Sequence, residues 1–218
     1  MRNIAVIFSL LFSLQGFADT IDLGSAAKYN VFVKGNYNVN SSDVEGRVAV
    51  GGSLYVDGGY DIGTHIIDYG MGSGPSLVVG GNIIKTGNGS LNVYQSATLP
   101  APVLGDVVIG GTLSGGPTTV GILTENSNSL PVDFNNAFSH LENLSQQLAQ
   151  RAALQTIDHN WALEFKVDPN VVPVDGVYVF NITDDQLKKS NGGNKTDWYV
   201  NTDAMAADAT VVFNITNK

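Results

Sequence analysis

The chain has 218 residues, is 43% hydrophobic, carries no cysteine and has a formal net charge of −9. The missing cysteines exclude disulfide scaffolds, thiolate metal centres and thiol catalysis together. So acidic a surface repels phosphate, which sets nucleic acid and anionic lipid aside as partners held by charge.

The first residues have the pattern of an export signal: Arg2, an apolar core from Ile4 to Leu14, then small residues ending at Ala18. Residues 1–18 are therefore expected to be removed, leaving 19–218 as one large domain that starts at Asp19 and is more acidic still. The apolar core is shorter than the roughly 20 residues a spanning helix needs, so no membrane insertion is expected once the signal is gone. The expected location is extracellular or in the cell envelope, the periplasm included.

Three segments then repeat one pattern: Val48-Ala49-Val50-Gly51-Gly52-Ser53-Leu54, Leu77-Val78-Val79-Gly80-Gly81-Asn82-Ile83 and Val107-Val108-Ile109-Gly110-Gly111-Thr112-Leu113. Their first glycines lie 29 and 30 residues apart. A weaker copy, Val31-Phe32-Val33-Lys34-Gly35-Asn36-Tyr37, precedes them at what reads as a half-period. Short apolar runs with glycine at a fixed place mean a chain that turns the same corner repeatedly and buries each coil on the next. The expected fold is mainly β, a β-helix or solenoid, which the regular spacing favours over an antiparallel sandwich with glycine-rich turns.

Between the copies, Asp57, Asp61 and Asp68 are too sparse for a calcium loop. Gly70-Met71-Gly72-Ser73-Gly74 has its serine out of register for a nucleophile elbow and lacks the Gly-Lys-Ser/Thr ending of a phosphate loop. From Phe134 to about Ala152 the apolar residues fall at helical spacing, with Asp133 placed as N-cap. This long amphipathic helix is expected to lie along the flank of the β stack. Beyond it, Val171 to Asn181, Trp198 to Asn201 and Thr210 to Ile215 read as strands, with a helical turn around Asp184 to Lys189. The last strand leaves an open edge, so the chain is expected either to self-associate through it or to be only marginally stable.

His65, His140 and His159 stand apart from one another and from paired acids, so no metal site, cofactor site or catalytic residue is assigned. Carboxylate pairs for sugar cleavage cannot be recognised by spacing, and Asp184-Asp185 is the only adjacent pair worth testing.

The run Leu23-Gly24-Ser25-Ala26-Ala27-Lys28-Tyr29-Asn30-Val31-Phe32-Val33, followed by Ser42-Asp43-Val44-Glu45-Gly46-Arg47-Val48-Ala49-Val50-Gly51-Gly52, resembles the opening of the choice-of-anchor A domain family. The later Val132-Asp133-Phe134 and the Phe138 to Leu148 helix resemble it too. The resemblance implies a right-handed β-helix with a helix along its side, on an exported bacterial protein that acts as an adhesive module. It also implies further C-terminal coils and an anchor, both of which this chain is expected to lack, and it transfers no catalytic residue. The opening is more distantly similar to bacterial ice-binding solenoids, whose binding face needs repeated hydroxyls; here the slot after Gly-Gly holds Ser53, Asn82 and Thr112. The expected function is a non-enzymatic, adhesin-like module binding an unknown surface glycan or protein, with ice binding and then polysaccharide cleavage as alternatives.

Overall fold

The computed structural model describes residues 21–98, 100–150, 155–158, 162–168, 170, 173, 176–183, 197–206 and 209–216. The chain forms two compact units, Asp22–Leu144 and one that contains Ser145–Lys218. It is mainly β, with one α-helix and mostly parallel sheets that do not close into a barrel.

In the first unit the chain visits three sheets in rotation. The first circuit is β1 (Val31–Val33), β2 (Tyr37–Val39) and β3 (Ser42–Val44); the second is β4 (Val48–Val50), β5 (Leu54–Asp57) and β6 (Tyr60–Ile62). The third is β7 (Leu77–Val79), β8 (Ile83–Thr86) and β9 (Leu91–Ser96), with β10 (Val103–Leu104) antiparallel on β9. The fourth is β11 (Val107–Ile109), β12 (Leu113–Gly115) and β13 (Thr118–Thr119), after which β14 (Leu123–Thr124) lies on β11. Sheet one is β1-β4-β7-β11-β14 and sheet two is β2-β5-β8-β12; sheet three is β3-β6-β9, with β10 and β13 both on β9.

This register corrects the half-period. Val31 pairs with Val48 and Val107 with Leu123, so the short spacing is one complete circuit. The spacings of 29 and 30 arise because the second and third circuits carry insertions, at 64–75 and around 97–106, before the chain returns to sheet one.

Inward side chains from all three sheets form one column, with Val48, Val50, Leu54, Val56, Tyr60, Ile62, Leu77, Val79, Ile83, Leu91, Val93, Val107 and Ile109 all buried. Lys85 also points inward, and its ammonium is turned onto the carbonyl oxygens of Thr86 and Gly87. The apolar triplets now have a cause. A strand covered on one face alternates, whereas one covered on both faces reads as continuously apolar. In sheet one the middle residues Ala49 and Val78 are also buried, under Leu130, Val132, Phe134 and Phe32. Sheet two alternates instead, with Leu54 and Val56 buried, Tyr55 and Asp57 exposed.

The cover over sheet one leads into α1 (Phe134–Ala149), whose first turn Asp133 caps by accepting the Asn136 N–H at 3.1 Å. Phe134 and Phe138 pack on Phe32 at ring distances of 5.6 and 5.0 Å. The first turns of the helix thus pack on sheet one, and it ends at Ala149 rather than Ala152.

Tyr60 carries a buried hydroxyl with no hydrogen-bond partner, its ring edge-on to Tyr37. Burial, and then the neighbouring Tyr37 and Asp43, push its ionisation far above the ordinary 10.0. The unfolded chain releases this proton at about pH 10 while the folded chain retains it, so the contribution to stability is whole below pH 10 and falls as pH rises past it. Tyr60→Phe is expected to leave the urea midpoint at about pH 8 level or slightly raised, because it deletes an orphan hydroxyl. It is also expected to reduce the fall in midpoint between about pH 8 and pH 11. An alkaline fall identical to wild type contradicts this.

The second unit contains β15 (Gln155–Asp158), β16 (Ala162–Lys166) and β18 (Asp197–Asn201) in one sheet, and β17 (Val177–Thr183) with β19 (Thr210–Thr216) in another. Sequence reasoning missed β15 and β16, which lack glycine or proline punctuation; the strand expected up to Asn181 is β17, which follows Gly176 at φ +71° and runs on to Thr183, while residues 171, 172, 174 and 175 lie outside the described residues. The strands at Trp198 to Asn201 and Thr210 to Ile215 are present. The helical turn expected at Asp184 to Lys189 lies outside the described residues. β17 and β19 are parallel, and their register sets Val-Phe-Asn-Ile-Thr at 179–183 against the same five residues at 212–216. This second repeat escaped sequence reading.

Candidate functional site

A parallel stack aligns equivalent side chains of successive circuits, so a ligand-binding face is a set of ranks running across the strands. Sheet one is covered outside. Sheet two is not: its register aligns Asn38, Tyr55, Ile84 and Ser114 in one outward rank, with Asp57 and Thr86 beside it. Tyr55 is 40% exposed, Asn38 and Ser114 are exposed and Ile84 is half-buried. Such a rank offers an aromatic ring and an aliphatic patch flanked by an amide and a hydroxyl, suited to weak, repeated contact with a polymer. On sheet three the outward rank is Asp43, Asp61, Asn92 and Thr119, where the Asn92 amide donates to Asp61 at 2.7 Å. Neither rank is a uniform row of hydroxyls. The signal for sheet two was present in Leu54-Tyr55-Val56-Asp57, where an aromatic residue sits at an outward position of an alternating strand.

The small polar residues after Gly-Gly have a structural task. Asn36 accepts the Ser53 N–H at 2.9 Å, Ser53 accepts the Asn82 N–H at 3.1 Å, and Asn82 accepts the Thr112 N–H at 2.9 Å. Each side chain satisfies a backbone donor that the corner would otherwise leave unpaired. The slot is a ladder joining circuits through the side chains of Asn36, Ser53 and Asn82, which Thr112 enters by its backbone N–H.

The acids singled out in the sequence join circuits in the same way. Asp57 lies 3.4 Å from the Thr86 hydroxyl, Asp61 is bonded to Asn92, and Asp68 accepts from Thr98 at 2.6 Å. They are not brought together, and among the described residues no group of three or more His, Asp or Glu is placed to hold a metal ion. His65 stacks on Tyr69 at 5.4 Å, and Tyr69 in turn donates to Glu45 at 3.0 Å, a bond that raises the Tyr69 ionisation. His140 bonds the Asp22 carbonyl at 2.7 Å, tying α1 to the segment before the first circuit. His159, Asp184 and Asp185 lie outside the described residues. Among those residues, no helix is long and apolar enough to cross a membrane.

Residues 22–218 match the family described as "Putative Ice-binding-like adhesive domain". The chain belongs to this family. The match spans both compact units, so membership is a property of the whole described chain and not of the stacked circuits alone. No curated protein and no solved structure matched it. Membership in an adhesive family supports an adhesin-like role at a surface or outside the cell, and it agrees with a mainly β chain that presents broad, open sheet faces.

Proposed function

We propose that the protein is an exported, non-enzymatic adhesion module, a right-handed β-solenoid of the choice-of-anchor A type that grips a surface glycan or protein through the outward face of sheet two. The observation that carries this reading is the exposed rank of Asn38, Tyr55, Ile84 and Ser114 on a stack whose first sheet is covered. Rotation of the chain through three mostly parallel sheets supports the solenoid, and the Ser-Asp-Val-Glu-Gly-Arg run supports the family within the broader adhesive group. Self-association through β19 is a further part of the proposal; its described partner is β17 on one side.

The test is retention of washed cells displaying the chain on glycan-coated and matrix-protein-coated surfaces. Tyr55→Ser combined with Ile84→Ser is expected to cut retention several-fold, because aromatic and aliphatic anchors carry most of the energy of such contacts. Retention equal to that of cells lacking the chain overturns the reading. So does full retention by the double variant.

Ice binding is the second reading, favoured by the family description. It requires a flat row of hydroxyls, and the engagement of the Ser53 and Asn82 side chains by backbone N–H groups counts against that slot. Faceted ice crystals in a solution of the purified chain would support it; rounded crystals dismiss it.

A further inference from the structure

Arg47 ends the Ser-Asp-Val-Glu-Gly-Arg run and is 97% withdrawn from solvent, with 3% exposure. Its guanidinium donates to the carbonyl oxygens of Met71 at 2.7 Å and Gly72 at 2.5 Å, and its Nε has no partner. No carboxylate of the described residues lies within ion-pairing distance of it. Glu45, its near neighbour in sequence, instead accepts from Tyr69. Carbonyl dipoles compensate such a charge in part, but a buried cation without a counter-charge is strongly unfavourable.

Arg47 also lines a cleft of about 320 Å³. Lys28, on the rim, is exposed; Ser25 and Ser73 add hydroxyls, while Tyr29, Pro75 and Val132 supply apolar wall. Burial raises the Tyr29 ionisation despite the opposing charge of Arg47, so the phenol stays neutral beside the guanidinium. Two cations, two hydroxyls and an apolar wall in a concavity of this size have one common complement. It is a small ring with hydroxyl groups, one apolar face and one carboxylate.

We propose that this cleft binds a sugar acid, the uronate unit of an anionic polysaccharide, with its carboxylate facing Arg47 and Lys28. The site is separate from the outward face of sheet two and stands or falls independently of it, since its readout is a soluble ligand and not adhesion. A net-negative protein gains selectivity from such a pocket: the general field repels polyanions, and only a carboxylate that reaches the recessed arginine is held.

The test is calorimetric titration of the full chain with sodium galacturonate, galactose and sodium acetate, repeated at raised salt. Galacturonate is expected to bind, galactose and acetate each at least about tenfold more weakly, and salt to weaken the uronate. Lys28→Gln, at an exposed position that leaves the fold alone, is expected to weaken galacturonate about fivefold to tenfold. Arg47→Gln is expected to abolish binding; should that variant fail to fold, Lys28→Gln and the galactose comparison still decide. No binding of galacturonate, equal binding of galactose, equal binding of acetate, or indifference to Lys28→Gln overturns the proposal.

Discussion

Gly80→Ala is expected to destabilise the first unit by about 3 kcal/mol, although it adds a single methyl group to an ordinary strand exit. A Cβ at Gly80 would stand 2.1 Å from the carbonyl oxygen of Gly51 in the circuit before, a contact with rigid backbone that no rotamer relieves. That backbone is itself committed, since Gly80 N–H donates to Val50 at 2.7 Å and Gly81 N–H to Gly52 at 2.8 Å. Alanine lowers the entropy of the unfolded chain, which is worth about 0.4–1 kcal/mol in the opposite direction and does not offset the clash. The same geometry recurs at Gly51, 2.4 Å from the Lys34 oxygen, and at Gly110, 2.3 Å from the Gly80 oxygen. In the first circuit the equivalent position is Lys34, where, among the described residues, sheet one has no earlier strand beneath it. Gly35→Ala serves as control: a Cβ there meets nothing within 4 Å, so its urea midpoint is expected within about 1 kcal/mol of wild type. Equal midpoints for Gly80→Ala and Gly35→Ala would refute the stacking argument.

Much of this stack could be read from the residues. Glycine at a fixed place after an apolar run announced a repeated corner, and Asp133 before a helical pattern announced its cap. The period was harder. Two insertions of similar length imitate a repeat of about 30 residues, and only the register of Val31 on Val48 and Val107 on Leu123 reveals the shorter circuit. The coverage of the faces was legible without being drawn out, because Val48-Ala49-Val50 and Leu77-Val78-Val79 are unbroken apolar while Leu54-Tyr55-Val56-Asp57 alternates. The cleft was not legible at all. Arg47 is separated in sequence from the glycine-rich loop that wraps it, and a lone arginine in a strand-rich stretch looks like a surface residue until its burial is known. The second unit hid its repeat because Val-Phe-Asn-Ile-Thr occurs only twice, with no glycine pair to mark the corner.

That repeat sets the other large effect. In register, Phe180 faces Phe213 with rings stacked 5.7 Å apart, and Phe165 packs edge-on to both at 5.3 and 4.7 Å. Phe180 has no solvent exposure, and Val167, Tyr178, Ile182, Val200, Met205, Ala209 and Val211 complete the cluster. Alongside runs an asparagine ladder: Asn214 donates to Asn181 at 2.8 Å and to the Ser145 carbonyl at 3.0 Å, and it accepts from the Ser145 hydroxyl at 2.6 Å. The ladder fixes register, since a slip by one residue would place Asn214 against an apolar neighbour and bury its amide unpaired. The phenylalanines then supply the burial energy that this register makes available. Phe180→Ala removes one of three mutually packed rings and leaves a cavity against Phe165 and Phe213. A loss of about 3–5 kcal/mol is expected. Ile215→Ser, one residue past the ladder on a side chain 48% exposed, is expected to cost under about 1 kcal/mol. Urea unfolding followed by circular dichroism, with limited proteolysis to locate the opened region, separates the two. Cleavage confined to the second unit in Phe180→Ala fits this cluster as its core, and a midpoint no lower than that of Ile215→Ser would show that the aromatic stack contributes little.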